Sequence, residues 1–171
     1  MHLVTLVLVV TVATLAALLP LRAFAIDPPA AQSMTVLGPS NPDLAAGATA
    51  LEKGNIQEGI RLTLQGLRSP SDNREKAAGH SNLCAGYALL KRWDEALKHC
   101  NAALAIDNAN WRTFNNRAAV MVGKGDYDLA ITDIRTGLEI APNSSTLLTS
   151  LRIIQQNKRL AGTRSRSAVR P

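Results

Sequence analysis

Aromatic residues are scarce: two Trp, two Tyr and two Phe make up 4% of 171 residues, while 46% are hydrophobic. A β-sandwich draws its core from aromatic and β-branched side chains, so the composition argues against one and favours helices packed closely through Ala and Leu. Catalytic signatures are missing as well. There is no Gly-rich phosphate loop, no His-Glu-x-x-His and no Gly-x-Ser-x-Gly, and the 13 acidic residues are scattered. No enzymatic activity and no cofactor are expected. Cysteine is limited to Cys84 and Cys100, with no Cys-x-x-Cys, which argues against a thioredoxin-like redox role.

Acidic residues are also absent from the last stretch, which holds Lys158, Arg159, Arg164, Arg166 and Arg170. Residues 26–157 carry 13 basic residues against 13 acidic ones, so the formal charge of +6 belongs to the two ends of the chain. No aromatic residue is interleaved with the terminal arginines to stack on bases, and no nucleic acid partner is expected.

Long apolar runs are confined to one place. Leu3–Leu19 is followed by Pro20 and then by Ala23-Phe24-Ala25, the small-x-small pattern of an export signal cleaved after Ala25. The run falls short of the roughly 20 residues that cross a bilayer. The expectation is a signal peptide over residues 1–25 and a protein of the bacterial periplasm or exterior, with no stable membrane span after cleavage. Residues 26–40, rich in Pro, Ala, Ser and Gly, are expected to form a flexible leader. Residues 161–171 are expected to form a disordered basic tail, leaving residues 41–160 for a helical domain.

Within that domain the sequence repeats. Residues 77–110 align with 111–144 at an offset of 34: Asn82 with Asn116, Ala85 with Ala119, Asp94 with Asp128, Ala96 with Ala130, Leu104 with Leu138 and Ile106 with Ile140. Trp93 is answered by Tyr127. An earlier copy over about residues 40–73, with Gly47, Gly54, Gly59 and Leu67, lies 37 residues upstream; the extra length, about one helical turn, falls in Ser69–Lys76. Small residues such as Ala96, Ala103, Ala118 and Ala130 let two helices approach closely. Leu83, Tyr87, Phe114 and Ile134 fill the space between hairpins. Leu147, Leu148, Leu151 and Ile154 place an apolar stripe on a final helix over 145–160.

The motif His80-x2-Leu83-Cys84-x2-Tyr87 with Ala96-x3-Cys100, followed by Phe114-x2-Arg117-Ala118-x2-Met121, Ala130-x3-Ile134 and Pro142, resembles the tetratricopeptide repeat family. That resemblance implies an all-α, right-handed solenoid of about three helical hairpins plus a capping helix. It implies a non-enzymatic scaffold that holds another protein or a peptide in its concave groove. The groove positions it points to are Ala78, Ser81, Asn82, Ala85, Arg112, Asn115, Asn116 and Ala119. Some members of the family grip a carboxylate with paired Lys and Asn; here Ser81 and Asn115 stand where the Lys belongs.

Cys84 and Cys100 stand eight and twenty-four residues into one repeat, levels that lie roughly opposite each other across an antiparallel pair. Export and the even count favour a disulfide. His80 precedes Cys84 by one helical turn and His99 adjoins Cys100, which raises an alternative of thiol or metal handling. The spacing matches no closed metal finger, and packing suffices to explain His80 in a slot usually held by a core aromatic. No metal is expected.

Overall fold

A computed structural model describes the backbone of residues 41–168 and the side chains of residues 41–163. The expected signal peptide, leader and last three tail residues lie outside the described residues. Among the described residues seven helices follow one another: α1 (Pro42–Glu52), α2 (Ile56–Gly66), α3 (Asn73–Leu89), α4 (Trp93–Ile106), α5 (Trp111–Lys124), α6 (Tyr127–Ile140) and α7 (Ser145–Ala168). The described residues contain no strand. The all-α architecture inferred from the repeat is the one observed.

Short turns join α1 to α2, α3 to α4 and α5 to α6, and all three close in the same way. In each, a residue with positive φ follows the first helix: Gly54 at +79°, Lys91 at +58° and Gly125 at +87°. The next amide then reaches the carbonyl five residues back, Asn55 to Ala50, Arg92 to Tyr87 and Asp126 to Met121, at 2.9, 2.9 and 2.8 Å. This is the six-to-one bond of a Schellman turn, which satisfies carbonyls that a helix end leaves bare.

Helix starts carry their own polar caps. The Asn41 side chain accepts from Leu44 N, and its amide donates to Gly66 O and to Ser71 Oγ, both at 3.0 Å. One buried side chain thus ties the start of α1 to the end of α2. Asp72 and Glu75 form a reciprocal capping box at the head of α3. That cap starts α3 at Asn73, four residues before the repeat boundary expected at 77, and α3 has 17 residues where α5 has 14. The inserted turn is absorbed as extra helix.

The core divides in two along the chain. Leu51, Ile60, Leu83, Ala85, Ala88, Ala96 and Val120 belong to the first cluster; Ala118, Ala130, Ile134, Leu147 and Ile154 form the second. Burying an aliphatic side chain of this size contributes about 1.5–3 kcal/mol. Arg117 stands one residue before Ala118, where the preceding repeat has Leu83. Its guanidinium makes a two-pronged pair with Asp133 at 2.9 and 2.7 Å and reaches Asn101 at 2.9 Å, linking α5 to both α6 and α4. Such a fork satisfies both carboxylate oxygens at once.

The last helix departs from the sequence expectation. It continues to Ala168, so residues 161–168 are helical where a disordered tail was expected. Nothing between Ser145 and Ala168 stops a helix: Gly162 costs only about 1 kcal/mol, and the first proline is Pro171. Lys158 on this helix pairs with Asp128 of α6.

Candidate binding face

The odd-numbered helices touch one another in series, α1 with α3, α3 with α5 and α5 with α7; among the described residues α2, α4 and α6 do not. A stack whose inner layer is in contact while its outer layer splays is curved, with the odd helices on the concave side. All eight residues expected in the groove lie on α3 and α5. Seven of them, Ala78, Ser81, Asn82, Ala85, Asn115, Asn116 and Ala119, are at most 2% exposed. Expected as an open lining, they are instead buried.

Hydrogen bonds across the helices account for part of that change. The Thr113 hydroxyl donates to Ser81 Oγ at 2.9 Å and the Asn116 amide donates to Ser81 O at 3.2 Å. The Ser150 hydroxyl donates to Asn115 Oδ1 at 2.7 Å. α3, α5 and α7 are thereby joined by a polar seam whose groups are bonded where water is excluded. Sequence reasoning missed Thr113 and Ser150. Ser150 was there to be found, since it stands one 34-residue period after Asn116. Nothing in the spacing marks Thr113.

Arg112 is the one expected groove residue that stays partly exposed. Its guanidinium lies over the Trp111 ring, 4.5 Å from the centroid, a cation–π contact. Both side chains border a shallow cleft of about 580 Å³ whose other wall is the Pro142–Ser145 turn.

The second polar cluster sits between α3 and α4. Cys84 and Cys100 form a disulfide with Cα atoms 5.0 Å apart, and no free thiol exists among the described residues. The thiol-handling alternative therefore has no thiol to use in this state. His80 and His99 bring their Nδ1 atoms to 3.0 Å. The His99 ring stacks on His80 and on Tyr87, with centroids 5.2 and 5.4 Å away, and Arg92 lies over Tyr87. Burial, then the neighbouring His80 and Lys98, lower the His99 pKa to about 4; burial also lowers that of His80. Both rings are neutral at pH 7. Among the described residues, no three His, Cys, Asp or Glu side chains converge as a metal cage. No described helix is long and apolar enough to cross a membrane.

No family model matches the chain. Over 84 residues it is 30% identical to mouse (Mus musculus) peptidyl-prolyl cis-trans isomerase FKBP4, a match covering 49% of this chain and 18% of that protein. Over 110 residues it is 27% identical to the DnaJ homolog subfamily C member 7 homolog of Schizosaccharomyces pombe, covering 64% of this chain and 23% of that protein. The chain thus spans less than a quarter of the length of either relative.

Among solved structures, the first TPR domain of human RPAP3 superposes with a TM-score of 0.62 at 23% identity, covering 72% of this chain and 93% of that one. The first TPR of Spaghetti, solved with an HSP90 peptide, gives 0.59 at 23% identity and covers 67% and 89%. The chain has the tetratricopeptide fold.

Proposed function

We propose that this chain is a non-enzymatic scaffold that binds an extended peptide or protein segment along the concave layer formed by α1, α3, α5 and α7. The observation that carries the proposal is the cleft of about 580 Å³ at the edge of that layer, where the partly exposed Arg112 and Trp111 face the Pro142–Ser145 turn. Asn143, Ser144 and Ser145 line that cleft and can both donate and accept, which suits a peptide backbone. Two solved domains of this fold are described as bound to the peptides SRMEEVD and SGPTIEEVD. Ser81 and Asn115 take the places of clamp lysines, so recognition here does not depend on gripping a terminal carboxylate.

The test is an NMR titration with peptides selected from a random library. Expected are shift changes at Trp111, Arg112 and the Asn143 side chain, and a clear loss of affinity in Arg112→Glu. Amidating the peptide's C-terminus should change little. Changes confined to α2, α4 and α6, or a library that yields no binder, would overturn the proposal.

The same scaffold is proposed to work in the cell envelope. The apolar run Leu3–Leu19 and Ala23-Phe24-Ala25 support export. Residues 1–25 fused to a phosphatase active only outside the cytoplasm should confer activity; an inactive fusion that accumulates inside would refute it.

A further inference from the structure

Positive charge gathers at one end of the chain. Residues 141–171 hold Arg152, Lys158, Arg159, Arg164, Arg166 and Arg170 and no acidic residue, while residues 1–140 carry 13 cations against 13 acids. The whole formal charge of +6 therefore resides in α7 and its flanks. Part of it is answered within the fold, where Lys158 pairs with Asp128 of α6. Among the described residues, Arg152 and Arg159 pair with no carboxylate. Both are exposed.

Their placement is regular. Leu148, Arg152, Gln155 and Arg159 recur at intervals of four, three and four residues, which makes one exposed stripe along the helix. Leu147, Ser150 and Ile154, which pack against the stack, lie on the other side of α7. Arg152 and Arg159 stand about 10.5 Å apart along the axis, and Arg166 occupies the next position of the same backbone register. Lys158 meets the first turn of α6, so α7 runs about 15 Å past the end of that neighbour. With no acid in the helix, no i,i+4 ion pair offsets its cations.

We infer that the outward face of α7 rests on an anionic lipid surface, held there by charge rather than by insertion. A specific protein partner takes hold through an anchor side chain seated in a pocket. This stripe offers charges and amides instead, and the half-exposed leucines of α7, Leu148 and Leu160, stand about 18 Å apart, too far to form one anchor. Such a face reads charge density and not sequence, which a leaflet of anionic headgroups supplies. A straight row also suits a plane, since one flat surface meets Arg152 and Arg159 together. No described helix is long and apolar enough to cross a bilayer, so the contact is peripheral. The inference stands apart from the peptide-binding reading, because neither arginine lines the Trp111–Arg112 cleft.

Full-length protein is titrated with phosphatidylcholine vesicles, with and without phosphatidylglycerol. The readout is the ratio of the two affinities, which cancels whatever the apolar run Leu3–Leu19 contributes to both. Expected is a ratio well above one that falls as sodium chloride is raised, because salt screens exposed charges. Arg152→Gln with Arg159→Gln should lower it about 25-fold, about fivefold for each cation removed. Lys53→Gln with Arg68→Gln, which removes two exposed cations from the other end of the fold, should leave it unchanged. Circular dichroism checks that each variant keeps its helices. A ratio near one, a ratio insensitive to salt, or an equal fall in both variants would overturn the inference. So would polyglutamate or duplex DNA competing more effectively than the vesicles, charge for charge, since the face would then serve another polyanion.

Discussion

The three hairpins fill one slot in three ways. At the level where the two helices of a hairpin approach, the facing pairs are Gly47 and Thr63, Cys84 and Cys100, and Ala118 and Ile134, related by offsets of 37 and 34 residues. The first hairpin brings backbones together: a Cβ on Gly47 would lie 2.4 Å from Thr63 Oγ1 and 2.9 Å from its backbone nitrogen. The second bridges the gap covalently, with Cα atoms 5.0 Å apart. The third fills it with a fully buried Ile134 against Ala118. The repeat thus conserves a gap to be closed, and the chemistry that closes it is free to differ. Close packing explains why: a gap wider than a methyl group forfeits dispersion contacts, however it arises.

The comparison can be broken at the covalent pair first, where the effect should be largest. Cys84→Ala with Cys100→Ala removes a closed loop worth about 3 kcal/mol in the chain-entropy model. Chemical denaturation should show that loss against oxidised parent. Cys84→Ala with Cys100→Ile copies the third hairpin into the second and should recover a measurable part of it. A transplant no more stable than the double alanine would mean that the slots are not equivalent. Next comes the first hairpin. Gly47→Ala forces α1 away from the backbone of α2 and should cost about 1–3 kcal/mol, the range for overpacking. The same change at Gly162, where an added Cβ meets nothing, should not destabilise.

These slots also mark what could be read in advance. The 34-residue period, the small residues at Ala96, Ala118 and Ala130, and the pairing of Cys84 with Cys100 were all legible, because each expresses the packing of one hairpin against its own partner helix. Burial of Ser81, Asn82, Asn115 and Asn116 was not. Periodicity tells which face a residue occupies; it does not tell how closely the next hairpin closes on that face. Ser150 bonding to Asn115 depends on a helix one full repeat away. The helical course of residues 161–168 is not legible for another reason: basic composition suggests disorder, yet Gly162 is too weak a breaker to end the helix and no proline follows Ser145 before Pro171.

The turns offer a smaller and opposite effect. Gly54 and Gly125 hold the positive-φ position in the outer hairpins, and Lys91 holds it in the middle one. A side chain there costs about 1–2 kcal/mol relative to glycine. Lys91→Gly should therefore stabilise the chain, by about 1 kcal/mol once the greater freedom of the unfolded glycine is counted. A fall in the melting midpoint would show that the lysine side chain makes up the strain by some contact of its own.

The smallest expected effect belongs to the histidine pair, and its sign follows from His99. In the unfolded chain this imidazole takes a proton near 6.5; in the folded chain it does so near 4, because burial, His80 and Lys98 all oppose a positive charge there. Tyr87 stacks on the same ring and Arg92 lies beyond it, so no carboxylate is among the groups shown facing it. Between those two pH values the unfolded state binds more protons. The contribution of His99 to stability is thus complete above pH 6.5 and is lost as pH falls through 4. The ring is only partly buried, so solvent screens the effect and keeps it modest. Thermal melts should show stability falling from pH 7 to pH 4, less steeply in His99→Phe, which keeps the stack but cannot titrate. Equal slopes in the two proteins would assign the loss to surface carboxylates such as Glu58 and Glu95, whose arginine partners lower their pKa values. The imidazole pair would then contribute to packing alone.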